Sequence, residues 1–176
     1  MPAFYPYVMS SLPALTFGMR PPVSFTGLLA MVKTLVPDED LEALASVPAL
    51  DAAPCAKAGN PTLAQWLSFN TALRNELVKI RASRKKMDPE KYLRSDGYPE
   101  SVHAAHIAHN AYRRPSLMEA EKTLDLERWR VLDELAFGHY FDLDALIIYG
   151  CRLVMLEKWE RINTADGARL LGAIAE

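Results

Sequence analysis

The stretch LDALIIYGCRLVMLEKWERI, Leu143 to Ile162, decides the fold. Leu146, Ile147, Leu153, Val154, Leu156 and Trp159 place apolar side chains on more than one face of a helix. A helix of that length that is apolar nearly all round belongs in the middle of other helices. Arg152 and Glu157 break the run, and Lys158, Glu160 and Arg161 charge its end too heavily for a membrane span. Asp142 stands where an N-cap is needed, and Gly138 in GHYFD (Gly138–Asp142) closes the preceding element.

Working outward, the same period recurs. Upstream, Pro115 opens a long helix with Leu117, Leu124, Val131, Leu132 and Leu135 on one side. Pro99 starts VHAAHIAHNAY after Gly97, and Asp88-Pro89 opens a short helix carrying Tyr92 and Leu93. Asn60-Pro61 caps a long helix to about Lys86, with Trp66, Phe69, Leu73, Leu77 and Ile80 in one stripe. Ser24 caps a helix through Val36, and Pro37 with its acids opens a second that ends by Pro48. Downstream, Thr164 is read as the cap of a last short helix.

No alternating run long enough for a strand pair interrupts this pattern. The expected class is therefore all-α, a compact helical bundle with an N-terminal apolar arm and short helices. Residues 1–50 read as that arm, 51–60 (Ala, Pro and Gly-rich) as a linker, and 61–176 as the main bundle, together one domain. The arm begins with YPYVMSSLPALTFGMRPPVSF, Tyr5 to Phe25, uncharged before Arg20. With no preceding Lys or Arg and with Pro6 and Pro13 inside it, it suits neither a signal peptide nor a spanning helix. Tyr5, Tyr7, Val8 and Leu12 are expected to be buried, the tyrosine hydroxyls reaching a polar edge.

A net charge of −2 gives no footprint for nucleic acid. Cys55 and Cys151 lie far apart, as reduced cytoplasmic thiols do. No phosphate-cradling glycine loop or H-E-x-x-H motif is present, and Cys151 lies in the most apolar helix, where a thiol is ordinarily packing. No residue is assigned a catalytic role and no cofactor is expected. His103, His106 and His109 recur every third residue, and Glu100 completes an E-x-x-H with His103. Such a pair can bind metal in a helical bundle, so Glu100, His103 and His106 are an alternative metal site. Three residues turn a helix by about 300°, which makes His109 a harder fit.

Charge is segregated. Arg74 to Arg94 holds eight Lys/Arg against three Asp/Glu, and Met118 to Leu146 the reverse, eight Asp/Glu against three Lys/Arg. Arg81, Arg84, Lys85 and Lys86, with Tyr5 and Tyr7, are the candidate partner-binding residues.

The N-terminal stretch with its SLP (Ser11–Pro13), ALRNELVKIRASR with DPEKYLR, EAEKTLDLERWRVLDELAFGHYFD, and ALIIYGCRLVMLEKW occur in an order that carries a resemblance. The chain resembles a bacterial family of uncharacterised proteins encoded among V-type ATPase subunits, sometimes labelled as the linking subunit of that rotary pump. It departs from that family's pattern at Pro6 and at Gly150-Cys151. The resemblance implies a subunit or assembly factor, a helical link between the central stalk and the membrane ring. Its partners would be V-type ATPase subunits, and its place cytoplasmic, peripheral at the inner membrane through the ATPase. The readings from another class are a small metal protein or enzyme, and a general helical adaptor.

Overall fold

A computed structural model of the protein describes residues 4–49, 59–94 and 101–174, with side chains as far as Ala165. The described residues form α1 (Tyr5–Ser11), α2 (Phe25–Val32), α3 (Asp38–Ala45), α4 (Pro61–Lys85), α5 (Val102–Tyr112), α6 (Leu117–Leu135) and α7 (Leu143–Ile174). Two single 3-10 turns, Val47–Ala49 and Glu90–Tyr92, join them, and no strand occurs among the described residues. The all-α class read from the periodicity is the class observed. The chain divides into two units, Met1–Pro48 with Leu135–Glu176, and Ala49–Glu134.

In the first unit α1, α2 and α3 each pack on α7. Residues 1–48, expected as an arm, thus share a unit with the C-terminal helix. Leu146, Ile147, Ile148, Leu153 and Leu156 of α7 are all but fully buried. α2 brings Phe25, Leu28 and Val32, spaced along one helical face, and α3 brings Leu44. Ser24 caps α2 by accepting the Gly27 N–H at 3.0 Å. Glu157 of α7 accepts the Phe25 N–H at 2.8 Å, setting a carboxylate at the positive end of α2. Asp38, Glu39 and Asp40 occupy the first turn of α3, where the same dipole favours them. The cap expected at Asp142 is present, its Oδ1 accepting the Ala145 N–H at 2.9 Å.

α1 corrects one expectation. Val8 is buried, Tyr5 and Leu12 are half-buried, but Tyr7 is 66% exposed. Residues 5–11 are helical, so Tyr5 and Val8 share a face whereas Tyr7 lies about 200° round from Tyr5. Thr164 caps nothing: α7 runs on to Ile174, and the Thr164 hydroxyl donates to the Glu160 carbonyl one turn back at 2.8 Å.

In the second unit α4 and α5 form the main contact. Asn60 caps α4 by accepting the Leu63 N–H at 3.0 Å, with Pro61 at the first helical position. Ala104, Ala108 and Ala111 make one face of α5 small, which lets it close on Ala72 and Leu73 of α4. Ile107 and Leu124 complete that core, and Phe69, Leu77 and Ile80 pack at its margin. α4 ends where Lys86 turns left-handed at φ 52°, its N–H capping the last carbonyls.

The helix expected from Asp88-Pro89 is only the Glu90–Tyr92 turn: Asp88 spends its carboxylate on the Glu90 N–H, and Tyr92 is exposed. Ser116, not Pro115, caps α6 by accepting the Glu119 N–H at 3.1 Å. Ser101 caps α5 through the Ala104 N–H. The Gly97 and Pro99 breaks, Cys55, Glu100 and most of the 51–60 linker lie outside the described residues.

Candidate functional site

In the first unit chemistry-bearing side chains gather where the GHYFD corner enters α7. Gly138, at φ +88°, takes the left-handed conformation that ends the preceding helix and swings the chain round. His139 Nδ1 then meets Asp142 Oδ2 at 2.7 Å and lies 3.7 Å from Asp144. The hydrogen bond from Asp142, and next the charges of both carboxylates, hold the imidazole above its ordinary pKa. These are the His and carboxylate groups close enough together to hold an ion among the described residues. Their pairing is also what a helix N-cap and its neighbour produce without one.

α1 reaches the same place. The Tyr5 hydroxyl donates to Asp40 Oδ2, and it lies within the fields of Asp142 and Asp144. Burial first, then the bond to Asp40 and the repulsion of the three carboxylates, push the phenol well above 10.0. Tyr149 of α7 donates to the Pro13 carbonyl at 3.0 Å, tying the SLP segment to the same helix.

Tyr5→Phe removes the donor that Asp40 uses and is expected to cost about 1–2 kcal/mol. The sign of the pH dependence follows. Above pH 10.0 the unfolded chain releases this proton and the folded chain keeps it, so stability falls as pH rises. Tyr5→Phe should flatten that fall; urea midpoints at about pH 7 and about pH 10.5 read both effects.

Around these acids the surface is aromatic. Phe137 is 87%, Tyr140 67% and Phe141 56% exposed, and Phe4 and Tyr7 beside Tyr5 are exposed as well. The corner therefore offers flat apolar rings next to fixed negative charge, a surface suited to apolar and cationic groups together.

The other sequence-predicted residues lie in the second unit. Arg81, Arg84, Lys85 and Lys86 are all exposed in or just beyond the last turns of α4, where helix carbonyls favour cations. Arg84 stacks its guanidinium 5.3 Å from the centre of the Tyr112 ring. Arg81 joins Arg74, Arg94 and Arg128 around a cavity of about 310 Å³. His103 and His106 are exposed on α5: His103 tilts against the Phe69 ring, and the His106 ring lies within 3.3 Å of the Asn110 amide. His109 is exposed on the same helix.

Sequence reasoning missed His139, Phe137, Tyr140 and Phe141 as surface groups, although GHYFD is among the segments that carry the resemblance. Aromatics crowded at a glycine turn were the available signal, because a corner that tight cannot bury them all. No helix among the described residues is long and apolar enough to cross a membrane. No curated protein and no solved structure matches the chain. Residues 94–176, which take in α5, α6 and α7, match the model of a family described as "Protein of unknown function (DUF2764)".

Proposed function

We propose that the protein is a non-catalytic subunit or assembly factor of a bacterial V-type ATPase. In this reading the GHYFD corner docks a cationic, amphipathic helix of a central-stalk or membrane-sector subunit. The ATPase assignment rests on the family resemblance. The docking face rests on one observation, the exposed rings of Phe137, Tyr140 and Phe141 beside Asp142 and Asp144.

Two features support the reading. SLP and GHYFD, the most specific segments of the resemblance, both belong to the first unit and both meet α7. Exposed aromatics with a charged rim are the composition of a binding hot spot rather than of ordinary surface. A link between stalk and ring would use such a face to hold a moving partner through rings and charge. The protein would then be cytoplasmic, held at the inner membrane only through that assembly.

Co-expression with the cognate central-stalk and membrane-sector subunits tests this at low salt, where charge attraction is strongest. The expected result is a co-purifying complex, with recovery reduced on the order of tenfold or more by Phe137→Ala, Tyr140→Ala and Phe141→Ala together. Failure of the unaltered chain to co-purify would sink the subunit reading. A complex indifferent to the triple change would move the docking face elsewhere.

A further inference from the structure

We infer that the second unit carries a binding site for a small phosphorylated anion in the cavity lined by Arg74, Arg81, Arg94 and Arg128. The inference does not depend on the ATPase reading.

The helix builds one wall. Arg74 and Arg81 are seven residues apart and so share a face of α4, two turns from each other. Neither has an acid one turn away: Asn70, Thr71, Leu77 and Val78 flank Arg74, and Leu77, Val78, Arg84 and Lys85 flank Arg81. An exposed helical arginine is usually balanced at such spacings, and these are not. Glu76, the acid within this stretch of α4, is bound to Lys79 at 2.9 Å.

Two further cations are brought in from elsewhere and fixed there. The segment after α4 doubles back, and Asn75 clamps the Arg94 backbone twice, accepting its N–H at 3.0 Å and donating to its carbonyl at 3.1 Å. Arg128 of α6 is held by Asp125 at 2.6 Å and donates its Nε–H to Asn70 at 3.0 Å. Arg128 thus has its own carboxylate, whereas Arg74, Arg81 and Arg94 have no acid partner among the described residues. Four like charges converge on one cavity with one counter-ion among them, a mutual repulsion that a bound polyanion would relieve.

The ligand class follows from the chemistry. Guanidinium forks match tetrahedral oxyanions, and several of them favour a multiply charged phosphate over a single carboxylate. A cavity of about 310 Å³ suits a molecule of pyrophosphate size or a little larger. Leu77 and Val78 on its wall leave room for an apolar body beside the charged end. The phosphate could belong to a free metabolite or to a lipid headgroup; the recognising chemistry is shared.

Titration calorimetry with inorganic pyrophosphate at low salt, using the full chain, is the direct test. One site should appear, weakened by added salt and by about tenfold for each of Arg74→Ala and Arg81→Ala. Both residues are exposed, so unchanged thermal melting shows that the variants remain folded. Arg81→Lys should recover part of the affinity, because it keeps the charge and loses the fork.

A parallel arm uses phosphatidylcholine vesicles with and without phosphatidic acid. Arginine-dependent binding to the anionic vesicles alone would support the same site with a lipid source. No binding in either arm, or binding indifferent to Arg74 and Arg81, would overturn the proposal.

Discussion

Gly150→Val is expected to destabilise the protein by about 3 kcal/mol, through overpacking at a point where α7 has no side chain to yield. A Cβ at Gly150 would stand 2.8 Å from Leu44 Cδ1 and 3.3 Å from Phe25 Cε2, with Val47 Cγ2 at 4.0 Å. The first distance is shorter than Cβ atoms tolerate. Leu44 is wholly buried, so its methyl can turn aside only into other packed atoms. Glycine in mid-helix sacrifices about 1 kcal/mol relative to alanine, and here that sacrifice lets α2 and α3 close on α7.

Alanine would recover that helical preference while making the smaller clash, so Gly150→Ala should cost less than Gly150→Val. For a chain of this size a loss of about 3 kcal/mol corresponds to a drop of about 6–12 °C in the midpoint of thermal unfolding. An unchanged or raised midpoint for the valine variant would mean that α7 does not approach α2 and α3 this closely.

The second large effect is expected at Asp125. Its carboxylate is 2% exposed and accepts from Arg128 at 2.6 Å. Arg128 in turn donates to Asn70, and Asn70 donates to the Trp66 carbonyl at 3.0 Å. Asp125→Ala removes the counter-ion and leaves the guanidinium with an amide alone. Breaking a buried pair from one side costs about 3–5 kcal/mol; the partial exposure of Arg128 places this case near the lower end, about 3 kcal/mol. Asp125→Asn keeps an acceptor and should cost less. Chemical denaturation of the three proteins orders them, and equal stability of the alanine variant would remove Asp125–Arg128 from the structural network.

Local features of this fold were readable from the chain because their causes are local. Ser24, Asn60 and Asp142 cap the helices they precede, and Leu146, Leu153 and Leu156 are buried as their spacing requires. The errors come from competition that spacing does not reveal. Thr164 had the chemistry of a cap, but its hydroxyl found the Glu160 carbonyl and the helix continued. Tyr7 had the chemistry of a core residue, but a helical α1 turned it outward.

The candidate sites depend on still longer range. The excess of arginine from Arg74 to Arg94 was visible, yet the cavity needs Asn75 to fold Arg94 back and Asn70 to place Arg128. The contact of Tyr5 with Asp40, near Asp142 and Asp144, joins three distant segments and has no signature in any of them.

The claim that the GHYFD corner is a docking face is tested most directly by a photo-crosslinking residue placed at Tyr140, in cells carrying the whole ATPase operon. The proposed function predicts an adduct with a central-stalk or membrane-sector subunit, and none from the same probe at Ala30, which is exposed on α2. Adducts with unrelated proteins only, or with no protein, would contradict it.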